Sequence, residues 1–215
     1  MRMKLQLGII GILLSINVFA DGYYPEPTSL DQPWSVTASV GRGKYQQNPS
    51  YYRENSPTTG RLALENELLL TGDIALGLEL GLQSGSHFHM QIPFETLKVL
   101  EWLPVQTTLN PMLDLLITAK SDPLWGSAFF AQLKGGVIYR KWRIQQAAIN
   151  DLTLFSGEIQ AGFGYPITAL ASLNLLYQGV FGNEPNLRVN TSNKTAHISN
   201  IPSLHGILLG FSVNL

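Results

Sequence analysis

Charged side chains share one alternating phase of several strand-like segments, where they could act together. They are Arg61, Glu65, Glu67, Glu79, Asp114, Lys134 and Glu158. Lys120 falls on the same phase. A charge that leaves water must be paired or neutralised, so a confined cluster of both signs predicts ion pairs. Such a cluster can fill and stabilise an interior, or it can line a narrow path for ions. Because acids outnumber bases in the cluster, protons or a bound cation must balance the surplus.

The composition restricts what these residues can belong to. The chain has 215 residues, of which 13% are charged and 45% are hydrophobic, and its mean hydropathy is +0.07. Absence of cysteine excludes disulfides and thiolate metal sites. A net charge of −1 argues against a nucleic-acid partner, which would select a basic surface. We therefore expect no cofactor and no metal, and the apolar surplus requires another explanation.

The first 33 residues predict export from the cytoplasm. Arg2 and Lys4 precede an apolar run over 7–16, and a small-x-small site ends at Ala20. This is the pattern of a cleaved signal peptide over 1–20, and the run is too short for a membrane-spanning anchor. Residues 21–33 contain three prolines and predict an extended periplasmic arm. The remaining segment, 34–215, is then the folded domain.

Within 34–215 the hydropathy repeats with a period of two. Eight segments alternate: 34–43, 61–70, 74–83, 105–120, 129–139, 155–165, 171–181 and 206–215. Their apolar phase carries no Asp, Glu, Lys or Arg, whereas the other phase mixes Gly, Ser and Leu with the charged cluster. A soluble β-sandwich would instead scatter charge over a solvated face with few glycines. An apolar outside around a small, polar inside is typical of a narrow membrane barrel.

The connections between these segments also alternate in length. Short ones at 71–73, 121–127 and 166–169 predict periplasmic turns, and long ones at 44–60, 84–104, 140–151 and 182–203 predict extracellular loops. Only a closed barrel satisfies strand backbones in lipid. The sequence therefore predicts an all-β fold, an eight-stranded antiparallel up-and-down transmembrane β-barrel with a periplasmic N-terminus.

Aromatic residues group near both ends of the predicted strands. Two such girdles are expected at the two membrane interfaces. The short-turn group comprises Trp34, Trp125, Phe129 and Tyr165, and the long-loop group comprises Tyr45, Tyr139, Trp142, Tyr177 and Phe181.

The last predicted strand carries a more specific signal. Its alternating apolar residues are Ile207, Leu209, Phe211, Val213 and Leu215. With the strand pattern, this ending resembles the small outer-membrane barrels of Gram-negative bacteria, the OmpA membrane-domain and OmpX type. The resemblance implies recognition of these residues by the barrel-assembly machinery, contact with outer-membrane lipid and lipopolysaccharide, and a monomer. The chain ends in Leu215, where such barrels typically have an aromatic residue.

Three functions are compatible with this prediction. We expect a structural or surface-interaction role, adhesin-like, in which extracellular loops contact a host or surface ligand. The alternative is a narrow porin-like channel or small-ligand passage through the charged lumen. The third is a lipid-modifying enzyme, since His197 and Ser199 match the His-x-Ser part of a lipid hydrolase motif. No acidic residue follows that pair, and His87 and His89 lack an evident third metal ligand. We therefore expect no enzyme.

Overall fold

The computed structural model describes residues 34–46, 57–85, 87–89, 106–145, 148–190 and 195–215. The predicted signal peptide at 1–20 and the arm at 21–33 lie outside these residues. Within the described part of the chain, no helix has the length and the apolar character needed to cross a bilayer. Among the same residues, one 3-10 turn occupies Leu124–Gly126.

Antiparallel strands dominate the described residues, as the period-two hydropathy predicts. The strands are β1 (Trp34–Tyr45), β2 (Thr58–Thr71), β3 (Ile74–Gln83), β4 (His87–His89), β5 (Gln106–Leu109), β6 (Met112–Ser121), β7 (Phe130–Ile144), β8 (Leu152–Pro166), β9 (Ala171–Val180), β10 (Leu187–Asn190), β11 (Thr195–Ile198) and β12 (Leu204–Asn214).

Eight long strands close into a barrel in the order β1-β2-β3-β6-β7-β8-β9-β12, and β12 pairs again with β1. Following the paired positions once around the barrel from Ser35 leads back to β1 at Tyr45, ten residues further along the same strand. This stagger tilts the strands and leaves an interior that side chains can fill. The predicted fold is confirmed.

The side chains alternate between an exposed outer face and a buried lumen along each barrel strand. In β1, for example, Trp34, Val36 and Val40 point outward, whereas Ser35 and Thr37 point inward and are buried. The alternation follows from the pleat of the strand, so one apolar phase makes the whole outer surface apolar. Strands joined by short turns pair in sequence order, which is the up-and-down topology that we predicted.

A β-bulge in β2 changes one detail of the predicted pattern. The register shifts between Glu67 and Leu69, and Leu69 then pairs with the outward Leu76. Leu70, which the simple alternation placed outward, pairs instead with the buried Ala75. An extra residue in one strand moves every later side chain to the other face, so beyond the bulge Leu69 takes the outward phase, and Leu70 takes the inward phase at the exposed end of the strand.

Two aromatic groups lie where the sequence predicted girdles, with two exceptions. Phe129 and Tyr165 pack with ring centroids 5.1 Å apart at the short-turn end. Tyr139 and Phe155 pack at 5.3 Å at the opposite end. Tyr45 and Trp142 do not belong to the aromatic girdle at the long-loop end, because both occupy inward positions and are buried. The prediction was wrong for these two, since an aromatic near a strand end can fill the barrel mouth as well as face lipid.

The short turns and the long loops lie at opposite ends of the barrel. Gly72 adopts a positive φ of 59° in the turn between β2 and β3, a conformation that favours glycine. At the other end the strands run further than predicted, since β7 continues to Ile144 and shortens the third loop to 145–151. The fourth loop contains the β10–β11 hairpin.

Placing a charge on the outer surface tests the orientation of the barrel in lipid. Leu115 is 50% exposed and sits in the middle of the outward row of β6. We expect Leu115→Arg to lower the free energy of unfolding by about 2–4 kcal/mol in urea titrations of vesicle-embedded protein. The control Thr71→Arg, at an exposed short turn, should cost at most about 1 kcal/mol. Equal costs at both positions would contradict a lipid-facing Leu115.

Candidate functional site

The middle of the lumen is built around one arginine that joins two buried carboxylates. The Arg61 Nε donates a hydrogen bond to Asp114 Oδ2 at 3.0 Å, and its Nη2 contacts Asp114 Oδ1. The same Nη2 donates to Glu79 Oε1 at 2.7 Å. Arg61 comes from β2, Glu79 from β3 and Asp114 from β6, so the bidentate pair ties three neighbouring strands together.

The chain of ion pairs continues toward the short-turn end. Lys134 Nζ lies 2.6 Å from Glu79 Oε2 and 3.8 Å from Glu65 Oε2. Lys120 Nζ then bridges Glu65 Oε1 at 3.1 Å and Glu67 Oε1 at 2.9 Å. The structure therefore brings together six of the seven predicted cluster residues, with Lys120 as the final link. Acidic and basic groups alternate along this chain of ion pairs, so each charge faces an opposite charge, which offsets the cost of burial.

A glycine makes room for the central arginine. A Cβ atom on Gly81 would meet the Arg61 guanidinium and the Asp114 carboxylate. Gly81 lies beside the inward positions of β2 and β6, since it pairs with Ala63 and with Asp114. The missing side chain lets the ion pair fill the space across the lumen, which explains why glycine occurs on the polar phase of this strand.

Glu158, the seventh predicted residue, stands apart from the chain of ion pairs. Its Oε1 accepts hydrogen bonds from Gln160 Nε2 at 2.7 Å and from Gln178 Nε2 at 2.6 Å. Gln178 also donates to Gln83 Oε1 at 2.7 Å. Among the described residues, no cation lies within 4 Å of Glu158, and its buried Oε2 lacks a hydrogen-bond partner. Neutral amides thus surround this carboxyl group.

Arg140 is a lumen residue that the sequence analysis missed. Its Nη2 donates to Ser156 Oγ at 2.7 Å and to the Phe181 carbonyl oxygen at 3.2 Å, while Nη1 donates to the Pro202 carbonyl oxygen at 2.9 Å. Arg140 is fully buried and fastens the fourth loop to β7 and β8. Continuing the polar phase of the fifth predicted segment beyond Tyr139 would have found it.

An apolar cluster closes the lumen at the long-loop end. Trp142 lies at its centre, 2% exposed, and Ile149 and the hairpin residues Ala196 and Ile198 cover it from the loops. The remaining members are Tyr45, Leu109, Met112, Ile138, Ile144, Val180, Ile201 and Leu204. We call this set of residues the apolar cap.

The cap is anchored by hydrogen bonds between loops three and four. Asn150 Oδ1 accepts from the Ile198 amide at 2.7 Å, and Asn150 Nδ2 donates to the Ile198 carbonyl oxygen at 3.2 Å. The Ala196 amide donates to the Ala148 carbonyl oxygen at 2.8 Å. The β10–β11 hairpin is therefore held over the barrel mouth at a defined position.

The candidate hydrolase pair lies on the surface rather than in a cleft. His197 and Ser199 are exposed at the end of β11, and Ser199 Oγ donates to the Asn186 carbonyl oxygen at 3.4 Å. Within the described ranges, no hydrogen bond joins His197 to Ser199 or to a carboxylate. His87 and His89 lie on β4, which pairs with β5.

The residues of the predicted assembly signal lie along the outward phase of β12. Ile207, Leu209 and Phe211 are exposed to the lipid side, and the Leu215 amide donates to the Trp34 carbonyl oxygen at 2.9 Å. The end of the chain thus pairs with the first barrel strand. Recognition of these residues by an assembly machinery stays a prediction.

Solved structures with the same arrangement of strands are outer-membrane and surface proteins. No family model and no curated protein sequence matches the chain. The chain is similar in structure to the outer membrane protein OprG of Pseudomonas aeruginosa, with a TM-score of 0.56, 12% identity and coverage of 86% of this chain and 96% of that one. The fold is that of the small eight-stranded outer-membrane β-barrels.

Two surface proteins show the same likeness. Ail, the attachment invasion locus protein of Yersinia pestis, gives a TM-score of 0.51 at 8% identity in its complex with the heparin analogue sucrose octasulfate, over 85% of this chain and 97% of that one. Neisserial surface protein A gives 0.50 at 11% identity, with the same coverage. Together with the apolar outer surface, the fold places the barrel in the bacterial outer membrane.

Removing the central arginine should expose the energetic role of the ion-pair chain. We expect Arg61→Met to destabilise the barrel by about 3–5 kcal/mol, because Asp114 and Glu79 then remain buried without their cation. Urea titration in lipid vesicles gives the free energy of unfolding.

The matched comparison for this variant is Glu67→Gln, at the partly open end of the chain of ion pairs. Glu67 has 14% of its side chain exposed, and its loss should cost at most about 1 kcal/mol. The combined Arg61→Met and Asp114→Asn variant should recover part of the loss. If Arg61→Met costs no more than Glu67→Gln, the central role of Arg61 is wrong.

Proposed function

We propose that this outer-membrane barrel is a closed, non-conducting protein that acts through its extracellular end, as an adhesin-like surface-interaction protein. The observation that carries the proposal is the apolar cap above the ion-pair chain. A cap of this kind occludes the lumen and at the same time holds loops three and four in place. The extracellular surface is then the part of the molecule that remains available for function.

A fixed extracellular surface favours binding over a purely structural role. Arg140 and Asn150 hold loop four through buried and partly buried hydrogen bonds, and the hairpin contributes Ala196 and Ile198 to the apolar cap. Ordering a loop before its partner arrives lowers the entropy cost of binding. A barrel with a purely structural role in the membrane would gain nothing from a loop four that is held in a fixed position.

The hairpin also suggests a class of ligand. Arg188 on β10 and His197 on β11 are paired in register, and both side chains are exposed. A guanidinium and an imidazole side by side suit sulfate or carboxylate groups. The complex of Ail with a heparin analogue provides a precedent in a barrel of the same fold. We therefore propose a sulfated polysaccharide of the host surface as the ligand of this hairpin.

A narrow channel is the alternative function, and Glu158 is the residue that favours it. A buried carboxylate beside three glutamines, with no cation partner among the residues that the structure describes, could attract a cation into the lumen. The ion-pair chain and the apolar cap oppose passage from either side of this point.

Electrical recordings discriminate these two functions. We expect the purified full chain to give no discrete conductance steps in planar bilayers, since the apolar cap and the ion pairs oppose the passage of ions through the lumen. A heat-modifiable shift in gel mobility should confirm, for the same sample, that the barrel is folded. Steady single-channel steps from folded protein would favour the channel and contradict the closed barrel.

Binding assays test the adhesin-like role. Bacteria that display the protein should adhere to immobilised heparin, and the double variant Arg188→Gln and His197→Gln should weaken adhesion roughly tenfold, because a charge-assisted hydrogen bond contributes about 1.5 kcal/mol or more. The control Asp73→Asn, in a short turn at the opposite end, should bind like the wild type. Adhesion no greater than that of the empty vector would contradict the proposal.

A further inference from the structure

The charged side chains inside the barrel do not balance. Among the described residues, the inward positions of the barrel strands carry five acidic and four basic side chains. The acids are Glu65, Glu67, Glu79, Asp114 and Glu158, and the bases are Arg61, Lys120, Lys134 and Arg140. One negative charge in the lumen is therefore not matched by a basic side chain of the strands. Because a charge that leaves water must be paired or neutralised, this surplus has to be compensated.

The surplus charge lies at Glu158. Each of the other four acids forms a salt bridge with Arg61, Lys120 or Lys134. The remaining base, Arg140, donates its hydrogen bonds to a serine hydroxyl and to two backbone carbonyl oxygens. Asp114 in addition repels the charge of Glu158 electrostatically. Glu158 is thus the acid that no cation among the described side chains neutralises by direct contact.

Buried oxygen atoms without hydrogen-bond partners collect around this carboxyl group. Glu158 Oε2, Gln160 Oε1 and Gln132 Oε1 accept no hydrogen bond from the described residues. Glu158 is 1% exposed and Gln160 is 0% exposed. The Gln160 amide touches the Glu158 carboxylate, since its Nε2 donates to Glu158 Oε1 at 2.7 Å, so the first two oxygens belong to one site. Gln132 lies nearer the short turns, where it pairs with Gly162, the inward position that follows Gln160.

All three atoms are hydrogen-bond acceptors, which restricts the species that can satisfy them. A carboxylate and an amide carbonyl offer lone pairs and have no proton to donate. Leaving such acceptors buried and unsatisfied is costly. A proton on Glu158 would remove the charge but could serve only one further oxygen. A metal cation contacts several oxygens at once, and carboxylate and carbonyl oxygens are the ligands that hard cations prefer.

We propose that Glu158 and Gln160 bind a monovalent cation, sodium or potassium, as a resident ion of the lumen. A single positive charge matches the surplus, whereas a divalent ion would reverse it. Carbonyl oxygens can replace the hydration shell of such an ion. Gln178 holds the carboxylate in place, because its Nε2 donates to Glu158 Oε1 at 2.6 Å. The composition excludes thiolate metal sites, but a site of carboxylate and amide oxygens needs no cysteine.

Urea unfolding of the full chain in vesicles of uncharged lipid tests for the ion. The titration is made in choline chloride, sodium chloride or potassium chloride, each at about 0.15 M, so that charges are screened equally. Choline is too large to take the place of a bare metal ion between two side chains. We expect sodium or potassium to lower the unfolding equilibrium constant of the wild type roughly tenfold relative to choline. This is the ratio for a ligand present at about ten times its dissociation constant.

Matched variants locate the ion. Glu158→Gln removes the carboxylate with little change in size and should abolish the difference between the salts. Glu67→Gln makes the same change in the chain of ion pairs and should keep the tenfold difference. Gln160→Met removes the amide oxygen, leaves the carboxylate in place and should reduce the difference severalfold.

Equilibrium dialysis with radioactive rubidium, which substitutes for potassium, measures binding without reference to stability. We expect one ion per folded wild-type barrel and severalfold weaker binding by Gln160→Met, which decides the question if Glu158→Gln does not fold. Equal unfolding constants of the wild type in all three salts would overturn the proposal, since a proton on Glu158 would give that result. Rubidium bound equally by the wild type and by folded Glu158→Gln would overturn it as well. Because Arg188 and His197 stay intact in every variant, these outcomes are independent of the adhesin-like role.

Discussion

Closure of the sheet in lipid is the constraint on which the rest of this structure depends. A strand in hydrocarbon has no water to bond its backbone, so every strand needs a neighbour on both sides. Pairing of β12 with β1 removes the last free edge of the barrel. Once the outer face must be apolar, any charge in a spanning strand has to turn inward. The low charge content of the chain is therefore a consequence of having lipid outside, and the remaining charges are concentrated in the lumen.

The narrow lumen in turn determines how those charges are arranged. Arg61 can reach both Glu79 and Asp114 because neighbouring strands bring inward positions close together and because Gly81 leaves space between them. Each of these charged groups would be costly to bury alone. The cost of burial is offset only where acidic and basic groups alternate, so the ion pairs act as a unit. Toward the long-loop end, the ion pairs give way to the apolar cap around Trp142, whose side chains carry no charge that must be balanced.

The two ends of the molecule consequently differ in character. The short-turn end is polar and partly open at Lys120, whereas the long-loop end is closed by the apolar cap. A single alternating pattern thus serves two surroundings, the hydrocarbon outside and the protein's own interior. This division supports a protein whose interior gives stability and whose loops make contacts.

The sequence by itself determined the fold class, the number of barrel strands and the inward phase of the charged residues, because alternation is a local property of the pleated backbone. It could not assign partners, since Arg61 and Asp114 are 53 residues apart and meet only through the register and stagger of the closed barrel. The same reason explains the errors. Tyr45 and Trp142 turn into the mouth, Leu69 replaces Leu70 at a bulge, and Glu158 lies among glutamines away from the other charges. Tertiary structure alone decided which buried groups face each other across the lumen, because that depends on strands distant in sequence being brought together.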